Sequence, residues 1–315
     1  MDLAVLRKSN LKSIKLRDVG AFIGRICEAR KMMRAYDVTY INTVMVMDYM
    51  FAAALARRPR IVHVHEIPTG TAAVFFSILL SLSRAFLIFN SHATEQCFTL
   101  PFWQRRAVVW NGVEAPAEMP PRASDSRLHV LLIGRFNSWK GQQILLRAIA
   151  QLPHDLRDRV TVRLVGSVFG SQSHFAETLA RIVAEEGLSE TAEMCPFAPD
   201  PSEHYAWADV IVVPSTKPEP FGLVAIEAMA AGRCVIAANH GGLSEIVVNG
   251  VTGSLVAPGS PRELAVTIQK YIEDSPRLVA EGEAGRRRFL SDFEESHYKL
   301  KIAEIIARVS SKNTL

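Results

Sequence analysis

Short strand-like runs alternate with helix-like stretches along this chain, and that alternation limits its fold more than any other feature. The runs fall at residues 37–41, 60–64, 85–90 and 106–110 in the first half, and at 129–134, 160–166, 192–195, 209–213, 234–238 and 254–256 in the second. Most are nearly continuous in Val, Ile, Leu and Phe, the mark of strands covered on both faces. Between them, helical patterns are predicted at 45–56, 142–152, 174–186, 203–208, 243–248 and from 261 onward. A further one at 70–83 is apolar enough to predict a buried helix. Residues 1–35 are helix-like, with an interruption expected near Val19 and Gly20. Strand–helix alternation of this kind predicts an α/β chain with parallel, doubly wound sheets. The Pro-bearing stretch 116–126 is expected to be a linker between two Rossmann-like domains, with the ligand between them beyond the carboxyl ends of the strands.

At 315 residues, 49% hydrophobic and 22% charged, the chain can bury a full core. Its four cysteines, Cys27, Cys97, Cys195 and Cys234, form no metal-binding or disulfide spacing. Residues 1–10 lack the apolar run of a signal peptide, and the most apolar stretch, 72–82, is too short to span a bilayer, so a cytoplasmic setting is expected. Charge is unevenly placed. Residues 1–60 hold twelve Lys or Arg against five Asp or Glu, in a chain of net charge +4. With Leu3, Val5, Leu6, Leu11, Ile14 and Leu16 interspersed, that start suits the surface of an anionic membrane, and equally an ordinary solvated helix face. No nucleic-acid-binding motif accompanies the charge.

The stretch 214–232 concentrates the chemistry. A strand end leads into a Pro-rich loop holding Glu219, then into a helix expected to open near Phe221 or Gly222, with Glu227 on it. A helix N-terminus presents unpaired N–H groups and a partial positive charge, a seat for phosphate. Carboxylates on either side of that seat suit a ligand with an anion in its middle and hydroxyls at both ends, as in a nucleotide-sugar. Glu227 stands among Val224, Ala225, Ile226, Ala228, Met229 and Ala230, where a carboxylate requires partners. Upstream, Arg135 and Lys140 bracket the turn after the 129–134 strand and offer a fork and a point charge to a diphosphate. Gly166, Gly241 and Gly242 close other strands and permit close backbone approach.

Taken together, these pieces resemble the donor-binding domain of glycosyltransferase family 4, retaining enzymes of the GT-B fold. The resemblance runs from Val130 to Pro258 through Gly134 and Arg135, Lys140 and Gly141, Gly166, Ala208 and Asp209, and the run Glu219 to Glu227. It continues through Ala231 and Gly232, Gly241 to Glu245, and Asn249 to Gly253. It implies that Glu227 binds the ribose hydroxyls and Glu219 those of the transferred sugar. The backbone of Phe221, Gly222, Leu223 and Val224 would meet the sugar and distal phosphate, while Arg135 and Lys140 neutralise the departing diphosphate. The loops near Gly166 and Phe197 would meet the base, UDP and GDP being undistinguished. No metal and no separate cofactor is implied, the nucleoside-diphosphate-sugar being a substrate. In the first half the likeness is looser, with His65 at a strand exit in the position that brings a histidine to the donor sugar, and Asn42 at another strand end.

The domains expected are 1–115, 127–292 and a C-terminal helix, 293–315, returning toward the first. The first domain departs from the family pattern, having no first strand and glycine-rich loop before Asp37, so the expectation is a shortened acceptor side. The implied activity moves a sugar to a hydroxyl of a glycan or lipid-linked glycan at the inner face of the cell membrane, in surface-polysaccharide or lipopolysaccharide synthesis. A donor-binding partner without turnover, and a nucleotide-sugar epimerase of the same fold, are the competing readings. The second calls for extra carboxylates and histidines that the sequence does not clearly supply.

Overall fold

A computed structural model describes residues 16–116, 126–168 and 174–311. The expected linker at 116–126 and the helix expected over residues 1–15 therefore lie mostly outside the described residues. Elements run α1 (Leu16–Ala35), β1 (Thr39–Ile41), α2 (Met47–Leu55), β2 (Arg60–Val64), α3 (Thr71–Ser83), β3 (Phe86–Phe89), α4 (His92–Glu95) and β4 (Arg106–Val108) in the first half. The second half continues with β5 (Leu128–Ile133), α5 (Gln142–Ala150), α6 (His154–Arg157), β6 (Val160–Val165), α7 (His174–Glu185), β7 (Ala192–Cys195), α8 (Ser202–Trp207) and β8 (Val210–Val213). It closes with α9 (Leu223–Ala230), β9 (Cys234–Ala238), α10 (Leu243–Ile246), β10 (Gly253–Val256), α11 (Pro261–Glu273), α12 (Ser275–Asp292) and α13 (Glu295–Ser311). The chain is α/β with two parallel sheets, in two compact units: one reaches Asn111 and resumes at Ser296 with α13, the other is Gly112–Glu295.

In the first unit the strands lie in the order β1-β2-β3-β4, all parallel. Val62, Val64, Leu87 and Phe89 face a core with Met33, Val44, Met47, Met50 and Leu80, while Ile61, Phe86 and Ile88 pack toward Val309 of α13. Two apolar faces explain why these strands show no alternation in sequence.

Two expectations change here. No break occurs near Gly20: α1 is continuous, because Phe22, Ile26, Ala29 and Met33 form one stripe on the core. Packing of such a stripe outweighs the cost of about 1 kcal/mol for a glycine inside a helix. Nor is α3 wholly buried: Phe76, Leu79 and Leu80 face inward, while Val74, Phe75, Ile78 and Leu82 are exposed. A single helix can turn only one face to a sheet, and α3 is apolar on both.

The second unit has the order β10-β9-β8-β5-β6-β7, all parallel. The direction of winding reverses beside β5, whose neighbours are β6 and β8. A crevice therefore opens beyond the carboxyl ends of β5 and β8, the switch point of a doubly wound sheet. Val130, Leu132, Val162 and Leu164 carry the core beneath it, packed with Leu145, Leu146 and Ile149 of α5 and Leu264, Ile268 and Tyr271 of α11.

Candidate functional site

At that switch point, the loop after β5 and the loop after β8 meet. Lys140 Nζ donates to Glu219 Oε1 at 2.8 Å, joining residues 79 apart in the chain. The Ser215 hydroxyl also donates to Glu219 Oε1, and Glu219 as a whole is 7% exposed. Lys140 is held in turn. Its Nζ lies 4.6 Å from the Trp139 ring centroid, and its backbone N–H donates to Asn137 Oδ1 at 2.9 Å.

Backbone proximity makes this arrangement possible. A Cβ on Gly141 would stand 2.2 Å from the Pro214 carbonyl oxygen, and one on Gly241 would stand 2.4 Å from that of Glu219. Both glycines also have positive φ, so no other residue fits. The Gly242 N–H donates to the Glu219 carbonyl at 2.8 Å, and His240 Nε2 meets the Ser215 carbonyl at 2.8 Å. The loop bearing Glu219 is thus clamped from β5 on one side and β9 on the other.

Helix α9 opens at Leu223, one residue later than one of the two expected starts, with Gly222 at φ 135° before it. Phe221 buries its ring against Phe293, centroids 6.0 Å apart, so only its backbone faces the loop. Leu223 is exposed and Val224 half-buried, and the Ala225 N–H donates to the Gly222 carbonyl at 3.0 Å.

Glu227, on the same helix, accepts a hydrogen bond from the Tyr205 hydroxyl at 2.6 Å. Burial, then the Glu227 carboxylate, push the Tyr205 pKa far above its ordinary value, so the phenol keeps its proton and donates it. Both side chains line a cleft of about 540 Å³ with Ser202, Ala230 and residues 113–116. Sequence reasoning named Glu227 but missed Tyr205. Only the register of the short helix α8 against α9 pairs them, and nothing in the spacing signals it.

The remaining predicted residues are more dispersed. Arg135 is exposed, its carbonyl tied to the Gln142 side-chain amide at 2.8 Å. Gly166 is buried where a Cβ would meet the Gly134 carbonyl oxygen at 2.0 Å, so the loops after β5 and β6 touch backbone to backbone. Phe197, in the loop after β7, is 65% exposed.

His65 belongs to the first unit. Its Nε2 lies 3.0 Å from Asn42 Oδ1, and its N–H donates to Glu66 Oε2 at 3.0 Å, at the carboxyl ends of β1 and β2. Burial lowers its pKa against an opposing pull from Glu66. His63, in contrast, is wholly buried, with Nδ1 2.6 Å from the Tyr40 hydroxyl. Among the described residues, no group of three or more His, Cys, Asp or Glu side chains stands ready to hold a metal ion.

Residues 118–288, just over half of the chain, match the family model "Glycosyl transferases group 1". A D-inositol 3-phosphate glycosyltransferase of Thermobispora bispora is 37% identical over 188 residues, which are 58% of this chain and 43% of that protein. The chain thus spans less than half the length of that relative. Its fold matches the crystal structure of Anabaena Alr3699/HepE in complex with UDP and glucose, with a TM-score of 0.77 and 27% identity over 90% of this chain and 80% of that one. It also matches sucrose-phosphate synthase of Thermosynechococcus elongatus, with a TM-score of 0.77 and 23% identity over 95% and 81% of the two chains, a likeness of fold. The two parallel sheets match GT-B glycosyltransferase structures.

Proposed function

The chain belongs to the glycosyl transferases group 1 family, and from that premise we propose that it is a retaining glycosyltransferase of the family 4 type. It takes a sugar from a nucleoside-diphosphate-sugar and passes it to a hydroxyl of a glycan or lipid-linked glycan, in surface-polysaccharide or lipopolysaccharide synthesis on the cytoplasmic side of the membrane. The observation that carries this reading is the Lys140–Glu219 pair, set at a topological switch point one turn from the start of α9.

In the proposed step the bond from the sugar's anomeric carbon to the diphosphate oxygen breaks, and a bond to the acceptor oxygen forms on the same face. The acceptor proton leaves with the diphosphate. Charge builds on the departing phosphate, so the residues that matter most are those that meet it: Arg135, Lys140 and the amides of Phe221 to Val224. Glu219 accepts from hydroxyls of the sugar and Glu227 from those of the ribose. Gly166 leaves room for the base, which Phe197 covers. The complexes of Anabaena HepE with UDP and with UDP-glucose support a uridine donor.

Purified protein incubated with UDP- and GDP-sugars is expected to release the nucleoside diphosphate. Glu219→Ala is expected to lower kcat/KM by about 10²-fold, the usual cost of removing a group that stabilises the transition state. Glu227→Ala should act mainly by weakening donor binding. If calorimetry detects no donor binding, or if Glu219→Ala matches wild type, the proposal fails. Donor binding without turnover across acceptors favours the non-catalytic reading.

A further inference from the structure

The exposed face of α3 and the turn that follows α4 are both apolar, and exposed arginines stand beside that turn. Val74, Ile78 and Leu82 recur along α3 on its outward side, and with Leu100 and Pro101 they line a groove of about 700 Å³. Next along the chain come Phe102, 98% exposed, and Trp103, 52% exposed. Their position is fixed. The Gln104 N–H donates to the Pro101 carbonyl at 3.0 Å, and its buried side-chain amide donates to the Ala85 carbonyl at 2.6 Å. The Thr99 N–H donates to Ser77 Oγ of α3 at 3.0 Å, tying the turn to the helix. Trp103 then shares a hollow of about 380 Å³ with Arg84 and Arg105.

Arginines predominate at the border, although Asp37 pairs with Arg58 at 3.8 Å. Residues 57–106 contain six arginines and two glutamates. Glu95 is paired with Arg106 at 2.7 Å, and Glu66 accepts from Thr43 at the sheet's end. Arg60 and Arg84 lie near enough that the charge of one lowers the pKa of the other, after the larger effect of burial. Like charges gathered beside an exposed aromatic pair call for an anionic partner that is also apolar.

We propose that this face is a docking surface for an anionic phospholipid bilayer, with the α3 face at the acyl boundary, Phe102 and Trp103 at headgroup depth and Arg84 and Arg105 against lipid phosphate. Aromatic side chains favour that depth, and each basic residue near an anionic leaflet adds to binding. At 13 residues α3 is too short to cross, and no helix among the described residues is long and apolar enough to do so. The protein would lie on the membrane. A second copy is the less suited occupant, because a two-fold contact here sets arginines against arginines. The purpose of the contact rests on the proposed function, since a lipid-linked acceptor would be presented at that surface; the contact itself does not.

The test uses the full chain without donor, floated with vesicles of phosphatidylcholine alone or mixed with phosphatidylglycerol. Wild type is expected to float with the anionic vesicles, with a blue shift in tryptophan emission. Phe102→Ser with Trp103→Ser should lower partitioning at least about tenfold and abolish the shift. Arg84→Gln with Arg105→Gln should remove the preference for anionic lipid, and both pairs should keep wild-type donor binding. The proposal is overturned if wild type does not float, or if the variants float equally. It is also overturned if Trp103 is already shielded from acrylamide in the free monomer, or if sedimentation shows a dimer that the Phe102/Trp103 variant dissolves while vesicles fail to bind. A chain that floats but transfers no sugar would defeat the function proposed above and leave this surface standing.

Discussion

Lys140, Ser215 and Glu219 show why side-chain roles are read less easily than backbone motifs. Lys140 and Glu219 were each visible in a motif, but the Lys140–Glu219 bond is a contact across 79 residues that only the meeting of two loops creates. Tyr205 was not visible at all. It donates to one oxygen of Glu227, and under the function proposed above Tyr205→Phe is expected to raise the donor dissociation constant about tenfold, the scale of a hydrogen bond to a charged group. At saturating donor, kcat should stay within about twofold, which separates positioning from chemistry in steady-state kinetics. His63 gives a pH prediction. Burial, then its neighbour His65, lower its pKa from 6.5 to about 3, so between those values the unfolded chain holds a proton that the folded chain does not. Stability from this group is therefore full above about pH 6.5 and is lost as pH falls toward 3, by up to about 1.4 kcal/mol per unit. Urea midpoints at about pH 7 and about pH 5 should differ in wild type, and less so in His63→Asn.

Among elements, the glycines separate two kinds of constraint that sequence alone presents alike. Gly166 ends β6 where a Cβ would press on the Gly134 carbonyl, so Gly166→Ala is expected to cost about 2 kcal/mol or more and to displace the loop bearing Arg135 and Lys140. Gly24 is an exposed interior position of α1 with open space around it, and Gly24→Ala should stabilise by up to about 1 kcal/mol. Thermal unfolding of the two variants checks both signs. Most strands and long helices were legible because their apolar runs are long and their ends carry turn residues. The short helix α6 and the continuity of α1 were not, since local propensity is weak there and packing decides.

For the whole molecule, ligand linkage offers the broadest test of the donor site. If UDP binds the folded chain alone, UDP at about one hundred times its dissociation constant should add about 2.7 kcal/mol to stability. Hydrogen exchange should then slow around residues 134–141, 166 and 219–224 and stay unchanged over 74–103; uniform protection, or none, would count against this site. Sequence by itself determined the α/β class, the alternation that makes both sheets parallel, and the glycine, proline and carboxylate positions around 214–232. These follow from local rules of period, turn chemistry and helix ends. Tertiary structure alone decided which strand neighbours which, and hence that the loops after β5 and β8 meet. It also decided that Tyr205 reaches Glu227 and that α3, apolar all round, leaves a face exposed. Such facts depend on contacts between residues far apart in the chain, where burial and backbone approach are properties of the assembled sheet and not of any segment within it.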